Sequence, residues 1–345
     1  MSAPQELPDW SGRIDGEGPA HARWHQLVRP AHRDDPDAPH IALLGFASDE
    51  GVRRNAGRVG AAEGPAALRR ALSPLAPHAA IGRGDIALRD HGDARTAGED
   101  LDGGQADAGA LIATALDAPG NLLTVVLGGG HETAWASYLG LTAAESLQGK
   151  RWGVLNLDAH FDLRDADRPT SGTPFLQMAR AEDAAGRALE YAVIGIAEPS
   201  NTAALFDRAR ELGVRWMTDE DCVEGGAMSV RAFVVDFARD LDVLYLTIDL
   251  DLLPAAVAPG VSAPAALGVE LPLVLAAVQA AAASGKLSLV DVVELNPGLD
   301  IDSRTARTAA RLMDAAVRGA VDAGGRACAV GEARLSAADS RSPRE

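Results

Sequence analysis

Short, continuously apolar runs recur along the chain, separated by longer stretches with helical spacing. The runs at 40–46, 122–127, 152–157, 191–196, 214–217, 243–248 and 287–294 predict strands. They do not alternate between apolar and polar positions, and that pattern marks parallel strands covered on both faces. Helices are predicted over 65–75, 104–118, 132–146, 202–212, 229–239, 272–283 and 304–323. Pro65 opens the first of these, where its missing N–H costs nothing. Strands and helices in alternation imply an α/β fold. It is expected to be a three-layer, doubly wound architecture around a mainly parallel sheet of about eight strands. Residues 1–38 hold much Pro, Asp and His with isolated Trp10 and Trp24, and are expected to form an N-terminal arm over the domain surface. The main domain is expected at 39–330, followed by a polar C-terminal tail at 331–345.

Composition narrows the function. With 345 residues, 47% of them apolar, the chain can bury a large core. Lys and Arg number 32 against 49 Asp and Glu, a net charge of −17. Such a balance disfavours nucleic acid and anionic membranes as partners. Cys222 and Cys328 are the only cysteines and neither has a close partner in sequence, which fits a reducing cytosol. Pro4, Glu6, Pro8, Asp9 and Arg13 leave no apolar leader. No run approaches the ~20 apolar residues of a membrane span. A cytoplasmic location is expected.

The chemistry lies in three blocks, each directly after an apolar run: Gly128-Gly129-Gly130-His131-Glu132, Asp158-Ala159-His160-Phe161-Asp162 and Asp249-Leu250-Asp251. Side chains two apart on a strand share a face, so Asp158, His160 and Asp162 point together, as do Asp249 and Asp251. Four carboxylates and two imidazoles exceed what one divalent cation needs. Two cations sharing bridging carboxylates would use them all. The oxygen-rich set favours Mn²⁺ over structural Zn²⁺, which takes four sulfur or nitrogen ligands. Doubly wound sheets bind ligands at the carboxyl ends of strands, where all three blocks lie. The triple glycine lacks the Gly-Lys-Ser/Thr of a phosphate loop and reads instead as tight backbone passage beside the site.

In this order and spacing the blocks resemble the ureohydrolase family, which contains arginase, agmatinase, guanidinobutyrase and formimidoylglutamase. The resemblance runs from about 40 to about 323 and includes Glu294 in Val292-Val293-Glu294-Leu295-Asn296-Pro297. Within the family, the formimidoylglutamase branch is the nearest likeness. Its pointers are Trp10–Asp15, Arg23–Gln26, Gly51–Gly60, Asn156–Arg164 and Ser171–Phe175.

The resemblance implies that His131, Asp158, Asp162 and Asp249 hold one Mn²⁺, and that His160, Asp158, Asp249 and Asp251 hold the other. Asp158 and Asp249 would then bridge. It further implies that Asp162 relays a proton to the leaving nitrogen and that Glu294 holds the amidinium. Arginases carry a proton-shuttling His where this chain reads Thr170-Ser171-Gly172. Arg164 stands where arginases use Asn to read a carboxylate, and its planar fork suits an anionic substrate. Arg54, Asn55, Arg58 and Ser171 are expected around it. The implied reaction converts N-formimidoyl-L-glutamate and water to L-glutamate and formamide, in histidine degradation, on a homo-oligomer. A guanidino hydrolase releasing urea and a non-catalytic metal-binding subunit are the alternatives.

Overall fold

The apolar runs assemble side by side into one sheet buried on both faces. The structure, a computed structural model, describes residues 7, 9–33 and 37–339, with side chains as far as residue 324. The strands are β1 (Val28–Pro30), β2 (His40–Ala47), β3 (Ala87–Arg95), β4 (Asn121–Leu127) and β5 (Trp152–Leu157). They continue with β6 (Tyr191–Ile196), β7 (Arg215–Thr218), β8 (Val243–Asp249) and β9 (Leu287–Val293). Their order is β1-β3-β2-β4-β9-β8-β5-β6-β7, and every pairing between them is parallel.

Among the described residues nine strands rather than about eight are present, because β1 and β3 carry no apolar run. β3 reads Ala-Leu-Arg-Asp-His-Gly-Asp-Ala-Arg, and a neighbouring helix supplies the counter-charge for its acids. Arg69 pairs with Asp90 at 2.8 Å and with Asp93 at 2.7 Å. β1 is only three residues long and ends in Pro30, which an edge strand tolerates.

Alternate residues of each strand feed two apolar layers. Ile41, Leu43, Val125, Leu246, Ile248, Val290 and Val292 face one way. They meet α3 (Gly64–Leu72), α9 (Asp219–Ala238), α10 (Leu271–Ala283) and α11 (Arg304–Asp339), and the short helices α1 (Trp24–Leu27) and α4 (Ala79–Arg83) add Trp24 and Ile81 to this layer; α2 (Glu50–Arg54) is a further short helix. Ala42, Leu44, Val126, Val154, Tyr245 and Leu289 face the other way. They meet α5 (Leu101–Asp117), α6 (Thr133–Ala143), α7 (Pro174–Ala184) and α8 (Ala203–Glu211). The result is the expected three-layer arrangement.

Some boundaries depart from the sequence reading. α7 was not expected. α9 begins ten residues early, capped by Thr218 and Asp221, and bends at Gly226, whose φ of 63° and ψ of −170° suit only glycine. α11 runs on to Asp339, through Gly324-Gly325 and into the segment expected as a polar tail. The Ala-rich sequence after those glycines has enough helix propensity to continue past them. Trp10 of the arm stacks on the fully buried Trp24 and donates its indole N–H to Asp90 at 2.6 Å. Among the described residues, no helix is long and apolar enough to cross a membrane.

Candidate active site

The sheet register gathers the site. Leu127 of β4 pairs with Val292 of β9, Val292 with Ile248 of β8, and Ile248 with Leu157 of β5. Four neighbouring strands therefore end in one row, and each delivers polar residues just beyond it. β4 leads to His131, β9 to Glu294, β8 to Asp249 and Asp251, and β5 to Asp158, His160 and Asp162.

Local backbone bonds aim these side chains. Asp158 accepts the N–H of His160 at 2.7 Å, and Asp249 accepts that of Asp251 at 2.8 Å. Asn156 donates to the second oxygen of Asp158 at 3.0 Å. Glu294 accepts the backbone N–H of His131 at 2.8 Å, tying two strand ends together. Asp162 and Glu294 have φ of 47° and 68°, the left-handed region that residues with side chains rarely enter. Behind His131, the backbone of Gly129 passes so close that an added Cβ would lie 1.9 Å from the carbonyl oxygen of Ser48. The triple glycine therefore serves close passage, as its sequence suggested.

Two groups result. His131, Asp158 and Asp249 offer ligand atoms within 4.8 Å of one another, and so do Asp158, His160 and Asp251. Asp158 is common to both, whereas Asp249 falls in the first group only. His131 Nδ1 lies 2.9 Å from Asp162, 3.1 Å from Asp249 and 3.2 Å from Asp158. His160 Nδ1 lies 3.2 Å from Asp251 and 3.4 Å from Asp158.

The electrostatics call for added positive charge. Burial alone would lower the His131 pKa, but the carboxylates of Asp158, Asp162 and Asp249 close to its Nδ1 carry it well above the usual histidine value. Burial pushes Asp249 up, helped by the charges of Asp251 and Asp158. Asp158 goes the other way: burial would raise it, but the two imidazoles hold it down. Burial and the nearby Glu132 push the Glu294 carboxyl up to about 8. His131 Nδ1 and Asp251 Oδ1 are buried with no hydrogen-bond partner, a costly state for polar atoms. Oxygen and imidazole donors converging around such orphaned atoms fit a divalent cation.

A cleft of about 440 Å³ opens onto these groups. Asn55, Arg164 and Ser171 line it together with His131, His160, Asp162, Asp249, Asp251 and Glu294. Arg164 donates to Asn55 at 2.9 Å, and Asn55 donates to Ser171 at 3.2 Å. Three of the expected substrate residues are thus one linked set.

Arg54 and Arg58 are not among the lining residues. Arg54 is buried in an ion pair with Glu50 at 2.8 Å and donates to the carbonyls of Pro169 and Glu99. Arg58 clamps the carbonyls of Val261 and Ser262. In this structure their guanidinium groups are held by these partners rather than turned to the cleft. Glu50, one turn before Arg54 and three residues before Arg53, was the sequence signal for this pairing. Glu132 had been given no role. Fully buried, it accepts from Ser48 Oγ and from the N–H of Gly51, each at 2.9 Å, and so anchors the start of α2 and the Asn55 loop.

A model of the arginase family matches residues 39–318. The chain belongs to the arginase family. Among similar proteins of this family, a formimidoylglutamase from Rhodococcus jostii is 53% identical over 310 residues, covering 89% of this chain and 93% of that protein. One from Chromobacterium violaceum is 50% identical over 308 residues, covering 89% and 96%. The crystal structure of a Trypanosoma cruzi formiminoglutamase with Mn²⁺ is similar at a TM-score of 0.72 and 26% identity, covering 84% of this chain and 96% of that one. A Bacillus subtilis formimidoylglutamase structure, at 24% identity, shares the arginase-family fold with a TM-score of 0.76, covering 91% and 95%.

Proposed function

We propose that the chain hydrolyses N-formimidoyl-L-glutamate to L-glutamate and formamide, using two Mn²⁺ per chain. The observation that carries this reading is Arg164, linked to Asn55 and Ser171, on the same cleft as the two carboxylate–imidazole groups. A permanent cation there favours a substrate with an anionic tail and disfavours agmatine. Relatives about half identical to this chain bear the name formimidoylglutamase, which supports the same choice. A cytoplasmic, homo-oligomeric enzyme is part of the reading.

When bound, a pair of divalent cations lowers the pKa of water enough to supply a hydroxide nucleophile near neutral pH. His131, Asp158, Asp162 and Asp249 would hold one ion, and His160, Asp158, Asp249 and Asp251 the other. Glu294 holds the amidinium by a charge-assisted hydrogen bond, and the amidinium charge in turn favours the ionised form of its carboxyl. Oxygen adds to the amidine carbon, and the bond from that carbon to the glutamate nitrogen breaks. Asp162 takes the proton of the attacking oxygen and gives it to the departing nitrogen. Arg164 holds a carboxylate of the tail, so the amidine carbon is fixed at both ends.

The test is a product assay with Mn²⁺ on formimidoylglutamate, guanidinobutyrate, arginine and agmatine. Formamide and glutamate in equal amounts, from formimidoylglutamate alone, are expected. Faster release of urea from any guanidino compound would overturn the assignment while leaving the site intact.

A further inference from the structure

We propose that Asp291 is a positioning residue for the cation site, acting through Thr247 to fix the ring of His131. This rests on the metal-binding reading above. Asp291 is a fully buried carboxylate in the middle of β9, among Leu289, Val290, Val292 and Val293. It does not line the cleft. A carboxylate in such a strand is expensive unless satisfied. No cation pairs with it; hydroxyls do. Ser137 of α6 donates to its Oδ2 at 2.6 Å, and Tyr245 of β8 donates to the same oxygen. Its other oxygen, Oδ1, is buried with no hydrogen-bond partner, and Thr247, directly opposite in the sheet register, is the hydroxyl placed to turn towards the carboxylate.

Thr247 then reaches the site. Its Oγ1 lies 3.1 Å from His131 Nε2. A threonine hydroxyl has one proton to give and lone pairs to receive with. With that proton directed at the carboxylate, the oxygen accepts from Nε2–H of the imidazole. The ring proton is thereby held at Nε2, and the Nδ1 lone pair is turned to the space it shares with Asp158, Asp162 and Asp249. Phe175, edge-on to the His131 ring at 5.4 Å, limits its rotation. The chain Asp291–Thr247–His131 therefore selects the tautomer a cation requires. Among the described residues no hydroxyl bonds the ring of His160, which is also more exposed, so the effect belongs to one of the two ions.

The test uses the full chain stripped of metal, with Mn²⁺ binding measured by calorimetry and by electron paramagnetic resonance. The variants are Thr247→Val, Thr247→Ser and Asp291→Asn. Outer hydrogen bonds of this type change metal affinity by about 10- to 100-fold. Thr247→Val and Asp291→Asn are expected to lose that much for one ion and leave the other within about 2-fold. Thr247→Ser, which keeps the hydroxyl, is expected to match wild type. Should Asp291→Asn not fold, the valine and serine pair carries the comparison by itself. Unchanged binding in Thr247→Val, equal weakening of both ions, or failure of serine to restore binding overturns the proposal. Wild type that binds no Mn²⁺ at all overturns the metal reading instead.

Discussion

Asp162 and Glu294 hold left-handed backbone angles that cost on the order of 1–3 kcal/mol each. Both lie where a strand has just ended and both line the cleft, so the strain serves to turn a carboxylate inward. Residue type and spacing made these acids visible in the sequence, but φ leaves no mark in a single chain. The arginines show the opposite failure. Arg54, Arg58 and Arg164 look alike as letters, yet only Arg164 keeps its guanidinium at the cleft. The carboxylate and carbonyl partners that consume Arg54 and Arg58 come in part from residues 99, 169, 261 and 262, beyond the reach of local spacing. Arg164→Ala is expected to lower kcat/KM for formimidoylglutamate by about 10- to 150-fold, the equivalent of one charge-assisted contact of roughly 1.5–3 kcal/mol. Mn²⁺ content should stay at the wild-type level. Steady-state kinetics beside metal analysis checks it, and unchanged turnover would place carboxylate recognition elsewhere.

At the scale of elements, the seven apolar runs all became strands, because burial on both faces leaves composition little freedom. β3 escaped notice because its acids are neutralised by Arg69 from a helix, so its polarity is that of a buried ion-pair network. The early start of α9 was hidden by Gly225-Gly226, which reads as a break and is a kink with non-helical angles at Gly226 that joins two helical segments. On α2, Glu50 is held by Arg53 and Arg54, which lower its carboxyl from 4.5 to about 2. Since the folded pKa lies below the unfolded one, this contribution is complete above about pH 5 and is lost as the pH falls towards 2. Glu50→Gln should therefore cost on the order of 2 kcal/mol near pH 7. The gap between the melting curves of variant and wild type should close on acidification from pH 5 to pH 3. A gap that stays constant over that range would show that the ion pairs contribute little.

For the whole molecule, a net charge of −17 and a cluster of buried acids at the strand ends act in the same direction. Without a cation the cluster repels itself, and binding to the folded form alone stabilises by RT ln(1 + [L]/Kd). Mn²⁺ at 100 times its dissociation constant should add about 2.7 kcal/mol per independent site. Chelation should lower Tm, and readdition of Mn²⁺ should restore it. Scanning calorimetry that finds equal Tm with and without chelator would argue against folding-linked binding. The margins of the sheet have a different consequence. β1 offers three residues and closes on a proline, and β7 offers four. An incoming strand from another molecule finds few backbone groups with which to register at either border. A parallel sheet of nine strands is thereby protected from zippering edge to edge.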